Sequence, residues 1–174
     1  SEGSWSVTWP NGTFAGGEYS KDMTIVATDA LGNATTATEV LVIDTVSTVE
    51  INTSAVGGDG TVNGVEAAAG ITLTGSAQAG SSVNVTFGSS TLAATVAADG
   101  SWTVDFPASA VTAGEYDATV TAVAMDANGN TSTATGAVHV DTYVNAFNYT
   151  STSGGADGVI NQTEAQSGLV VTGQ

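Results

Sequence analysis

The oxygens that could do chemistry in this chain sit in short loops, and the loops recur. Asp59-Gly-x-x-Asn63-x-x-Glu66 returns as Asp157-Gly-x-x-Asn161-x-x-Glu164. A second class sets an aspartate beside carboxamides: Asp29 with Asn33, and Asp126 with Asn128 and Asn130. A third is an Asp-Thr dipeptide, Asp44-Thr45 and Asp141-Thr142. Carboxylates and carboxamides are hard oxygen donors, and a calcium ion takes about 6–8 such oxygens. Zinc would want His or Cys, which these loops lack. Magnesium fits less well, because it keeps a tight octahedron with bound waters. Any one of these loops also reads as an ordinary turn, since Asp-Gly and Asn-Gly are common turn formers.

Other chemistries lack their residues. With no Cys there is neither a disulfide framework nor a thiolate metal site. The lone histidine, His139, rules out a Ser-His-Asp set, and the lone lysine, Lys21, sits in no phosphate-binding loop. An enzyme is not expected, nor a small-molecule substrate. Seventeen acidic residues set the net charge at -16. That charge excludes nucleic acid and anionic membranes as partners, because Lys and Arg supply affinity there. No apolar run is long enough to span a bilayer. The charge favours a cationic partner, a metal ion being the simplest, or else serves solubility alone.

The elements that must position these loops come from a long repeat. Residues 98–140 align without a gap on residues 1–43, an offset of 97. GSW, GEY, the D-x-x-G-N run and the T-A-T run coincide. Residues 141–174 match 44–76 with one inserted residue. The chain therefore reads as the C-terminal part of one unit (1–43), a complete unit (44–140) and the N-terminal part of a third (141–174). A period near 97 residues is too long for a solenoid coil or a propeller blade. It is the length of one immunoglobulin-type sandwich. The expected fold is all-β: tandem Greek-key sandwiches set end to end.

Period-two alternation predicts strands at about 48–53, 70–77, 82–88, 91–97, 101–106, 115–125 and 131–140, with one helical turn at 65–69. Tyr116, Ala118, Val120, Ala122 and Ala124 share one face, and so do Trp102, Val104 and Phe106. Their copies, Tyr19 to Ala27 and Trp5, Val7 and Trp9, predict the same core faces. Lys21 falls on such a face and is expected to reach out to solvent. Tyr19 and Tyr116 stand where a tyrosine corner would sit. His139 reads as a surface residue, and Thr131, Thr133 and Thr135 as a solvated strand face.

Sandwich topology then gathers the loops. The first and last strands of a unit both run from its leading to its trailing end. Residues 57–69 therefore lie at the trailing end and residues 126–130 at the leading end, with Asp44 or Asp141 in the linker between units. Each joint is expected to bring together the first loop of one unit, the linker aspartate and the last hairpin of the next. Carboxylates crowded there would repel one another without a cation. Three loop classes that repeat and converge favour the metal reading over the turn reading. Glu18 and Glu115, at the corners before the long strands, could add oxygens to the joints, but read first as solvated turn residues.

In this order, D-G-x-x-N-x-x-E, G-[IL]-x-[LV]-T-G, D-G-S-W, G-E-Y, D-A-x-G-N-x-[ST]-x-A-T and V-D-T resemble the bacterial immunoglobulin-like repeats of giant, type I-secreted RTX-type adhesins. The resemblance covers essentially the whole chain. It implies an extracellular stalk at the bacterial cell surface that holds a distal binding module outward, in cell adhesion or biofilm. It also implies calcium at the joints between neighbouring repeats, with metal roles for Asp44, Asp59, Asn63, Glu66, Asp126, Asn130 and Asp141. The corresponding copies are Asp29, Asn33, Asp157, Asn161 and Glu164. Leu31 stands where Asn128 does, and Val46 and Tyr143 replace the proline usual after Asp-Thr. A self-assembling filament or surface-layer subunit, and a sugar- or ice-binding module, remain the competing readings.

Overall fold

The computed structural model describes residues 3–144, 148–152, 159–168 and 170–173 of the chain. Its strands and helices in chain order are β1 (Glu18–Thr28), β2 (Ala34–Asp44), β3 (Val49–Asn52), β4 (Thr61–Val62), α1 (Gly64–Ala69), β5 (Ile71–Ala77), β6 (Ser82–Phe87), β7 (Ser90–Ala93), β8 (Thr95–Val96), β9 (Ser101–Phe106), β10 (Glu115–Met125), β11 (Thr131–Asp141), β12 (Tyr149–Thr152), α2 (Gln162–Ser167) and β13 (Val171–Gly173). No helix among the described residues is long and apolar enough to cross a membrane.

Two sheets face each other between residues 49 and 141. One has the order β3-β5-β9-β8, the other β4-β11-β10-β6-β7. All neighbours pair antiparallel except β4, which lies parallel to β11 at His139–Thr61 and Val140–Val62. The alternation seen in the sequence becomes the core. Leu73 from β5 and Trp102, Val104 and Phe106 from β9 meet Val85, Phe87, Val120 and Ala122 from the opposite sheet. Phe87 and Phe106 touch across the layers, with ring centroids 5.7 Å apart. Full burial of each such large side chain contributes about 1.5–3 kcal/mol.

One glycine is dictated by that core. Gly75 pairs with Trp102 across the ladder. A side chain at Gly75 would run into the indole ring and the Glu50 carbonyl.

The first copy departs from expectation. Trp5, Val7 and Trp9 form no strand and are 65%, 58% and 45% exposed. The hairpin β1–β2 forms a sheet of its own. In the complete unit the indole is covered by β3 and β5, and residues 1–43 include no counterpart of either. The segment 91–97 also differs. It divides into β7 and β8, which belong to opposite sheets. The 57–69 loop carries the short strand β4 and the helix α1.

Lys21 is exposed, as expected. Tyr116 Oη donates to the Thr112 carbonyl at 2.9 Å and Tyr19 Oη to the Ala15 carbonyl at 3.0 Å, so both tyrosine corners are built. Thr131, Thr133 and Thr135 are exposed on β11.

Candidate metal centre

The hairpin between β10 and β11 is a five-residue turn organised by one carboxylate. Asp126 Oδ1 accepts the main-chain N–H of Asn128 at 2.9 Å and of Asn130 at 2.8 Å. Asp126 Oδ2 accepts Asn130 Nδ2 at 2.9 Å. Asp126 is 7% exposed, the one buried charged side chain among the described residues. The Asn130 side chain, followed by the main-chain donors, holds its carboxyl below the usual range against the opposing effect of burial. Asp29 repeats the arrangement with Leu31 N, Asn33 N and Asn33 Nδ2, and its pKa is lowered chiefly by Asn33.

At the end of β2 this turn meets the linker. Asn128 Nδ2 donates to Asp44 Oδ2 at 2.7 Å. Asn130 Nδ2 reaches Asp44 Oδ1 at 3.2 Å and the Asp44 carbonyl at 3.3 Å. Four of the expected residues, Asp44, Asp126, Asn128 and Asn130, are thus brought together. Asn130 bridges two carboxylates with one amide, where a cation would otherwise stand between them.

The donor set fits a hard cation in type, because each of these four side chains carries an oxygen. Calcium would require the two amides to turn their oxygens inward, since an NH2 group cannot ligate a cation. Among the described residues no three Asp, Glu, His or Cys side chains gather at one point. Any metal here would draw on amides, carbonyls and water as well as carboxylates.

The second joint is assembled from the other loop. Asn63, Gly64, Asp141 and Thr142 line one trough with Tyr143 and Val144. A side chain at Gly64 would stand 2.8 Å from the Thr142 carbonyl oxygen, so helix α1 is seated on the linker. Asp59 Oδ1 accepts Thr61 N at 2.9 Å and closes the turn into β4. Asn63 Oδ1 accepts Val65 N and Glu66 N at 2.9 and 3.1 Å, and Glu66 Oε2 accepts Asn63 N at 2.9 Å. This is a capping box: two otherwise unpaired helix donors are satisfied reciprocally. Asn161 and Glu164 repeat it at α2. Asp157 lies outside the described residues.

Two features go beyond the first reading of these loops. Glu18 and Glu115 do not sit in solvated turns. They begin β1 and β10 and stand directly opposite Asp44 and Asp141 in the strand register. The pairing of a long strand with its neighbour, counted back from the Asp, would have revealed this. The other feature is a clasp on the linker threonines. Gly17 N donates to Thr45 Oγ1 at 2.8 Å while Thr45 N donates to the Gly17 carbonyl at 3.1 Å. Gly114 and Thr142 repeat the exchange at 2.7 and 3.0 Å. Gly17, at φ 139°, adopts a backbone that favours glycine.

His139 is on the surface, as expected. Its Nδ1 lies 2.8 Å from Asp117 Oδ1. That hydrogen bond, aided by the charges of Asp117, Asp141 and Glu115, raises its pKa above 6.5 despite some desolvation.

A family model described as a bacterial Ig-like domain matches residues 46–142. No curated protein matches the chain. Among solved structures, the chain is similar to a Ca2+-stabilized adhesin that helps an Antarctic bacterium reach out and bind ice. Identity there is 29% and the TM-score 0.46, covering 88% of this chain and 39% of that one. It is also similar to a 1.5-MDa bacterial ice-binding adhesin studied for host cell surface retention (28% identity, TM-score 0.43, 71% and 42% covered). A third is a tetra-tandem repeat in the extending region of a large adhesion protein (27% identity, TM-score 0.43, 71% and 32% covered). The chain spans less than half the length of each.

Proposed function

The chain belongs to the bacterial Ig-like domain family, and on that premise we propose that it is an extender segment of a large adhesin at the bacterial cell surface, its joints stiffened by calcium. It is a structural module and not an enzyme. Its units are taken as 1–43, 44–140 and 141–174, and its partners as neighbouring repeats and calcium ions.

The observation that supports this reading most is the meeting of Asp44 with Asp126, Asn128 and Asn130 across a joint. Carboxylates drawn together at a joint repel one another, and a divalent cation removes that repulsion while tying both sides to one point. At this joint the proposed ligands are Asp44, Asp126, Asn128 and Asn130. At the next they are Asp59, Asn63, Glu66 and Asp141. Asp29, Asn33, Asp157, Asn161 and Glu164 would serve joints with further repeats. Calcium would supply a fixed point of charge there and no reaction.

The test is a calcium titration of two complete repeats, read by thermal melting and small-angle scattering against chelator. Saturating calcium is expected to raise the melting temperature. At 100-fold excess over Kd the stabilisation amounts to about 2.7 kcal/mol. The scattering profile should lengthen at the same time. An unchanged melt and profile up to millimolar calcium would leave a plain spacer and remove the metal from the account.

A further inference from the structure

Three Asn-Gly pairs occur in the chain: Asn11-Gly12, Asn63-Gly64 and Asn128-Gly129. The pair is chemically labile because glycine leaves its own amide nitrogen unshielded. That nitrogen, on losing its proton, attacks the asparagine Cγ. The Cγ–Nδ2 bond breaks and the nitrogen leaves as ammonia. Water then opens the cyclic imide at either carbonyl, giving aspartate or its β-linked isomer. One amide and one water become one carboxylate and one ammonium ion, with no change of oxidation state.

The surroundings separate the three sites. Asn63 has its amide oxygen held by Val65 N and Glu66 N, and Gly64 is pressed against the Thr142 carbonyl. Those two hydrogen bonds hold the Asn63 side chain in its capping position, away from ring closure. Asn128 is exposed, and nothing lies within 4 Å of where a Gly129 side chain would be. Gly129 N is held only by the Asp126 carbonyl at 3.2 Å. Asn11 is exposed in a turn, and Gly12 is likewise open.

Position decides the consequence. The nitrogen that Asn128 would lose is the one donating to Asp44 Oδ2 at 2.7 Å. Its departure removes a donor from the joint and puts a carboxylate beside Asp44, with Asp126 close by. Attraction across the joint becomes repulsion. We propose that Asn128 is a self-modifying site, whose spontaneous deamidation breaks the amide latch on Asp44 and makes the joint dependent on a cation. The last clause rests on the calcium reading above; the modification itself does not. Deamidation would turn a joint that an amide latch and a cation both hold into one held by the cation alone.

The first measurement is a peptide mass map of the whole chain, aged at mildly alkaline pH in chelator. Asn11 serves as the internal clock. Asn128 is expected to gain the acid mass along with Asn11 while Asn63 keeps its amide. An Asn128 that keeps its amide after Asn11 has converted, or a chain in which neither converts, overturns the modification. The second measurement compares wild type with Asn128→Asp and Asn128→Gln by small-angle scattering. In chelator Asn128→Asp should be more flexible than wild type, and calcium should restore it. Equal profiles in chelator would overturn the latch. A difference in chelator that calcium does not reverse would uphold the latch and discard the metal.

Discussion

Asp126 is a carboxylate whose charge is built into its turn. Its oxygens take two main-chain donors and one amide, so protonating either oxygen would displace its donor and weaken the other bonds. Its depressed pKa means that this contribution is present above the ordinary carboxylate value and is lost only as pH falls through the lower folded value. His139 works in the opposite sense. Its pKa is raised above 6.5, principally by Asp117, so the pair stabilises fully below 6.5 and the contribution fades as pH rises through the folded value. His139→Gln is therefore expected to flatten the melting temperature between mildly acidic and mildly alkaline pH, while wild type declines across that window. A decline as steep in the variant would show that the pair carries no such dependence. At this scale the sequence was readable in part. Asp44, Asp126, Asn128 and Asn130 could be placed together because topology alone sends their loops to one end. The spacing Asn63-x-x-Glu66 has a local use that competes with a ligand role: it caps α1. The signal was present in the sequence, since that spacing just before an apolar stretch is itself a helix-start signature.

Strands show the same contrast between long and short range. β9, β10 and β11 appear where period-two alternation predicts them, because six to eleven residues suffice to display the period. β4 and β8 have two residues each and display none. Their existence depends on the neighbours they pair with, β11 and β9. Trp5 and Trp9 carry the alternation of a core strand yet stay exposed, since a face becomes a core only when another sheet covers it. Trp102 is the covered version, and its cover imposes a glycine. Gly75→Ala is expected to destabilise the complete unit by about 1–3 kcal/mol, because the added methyl must displace the indole ring or the β3 carbonyl. Chemical denaturation measures this directly, and a midpoint equal to wild type would mean that the ring yields freely. The same change at Gly80 meets no neighbour within 4 Å but must be adopted at φ 82°. Its cost would come from backbone conformation alone.

For the whole molecule, the joints matter more than the units. β2 runs straight into Asp44, Thr45 is clasped to Gly17, and β3 begins four residues later at Val49. The same order follows β11, with Thr142 clasped to Gly114. Each linker is therefore fastened to the unit it leaves; the first also meets the hairpin of the following unit, and the second meets helix α1 of the unit it leaves. The parallel pairing of β4 with β11 has a mechanical meaning in such a chain. When a complete unit is pulled by its two ends, β3 and β4 are drawn toward the leading end and β11 toward the trailing end. The bonds between β4 and β11 then lie across the line of pull, so they share the load in shear and must fail together before the sandwich can open. Single-molecule pulling of complete repeats is expected to give a force peak that falls when Val62→Pro removes the N–H on this patch. An unchanged peak would move the mechanical clamp elsewhere. In the proposed extender role, each repeat would bear load until those few bonds rupture at once, and would then lengthen by one unfolded repeat without letting go.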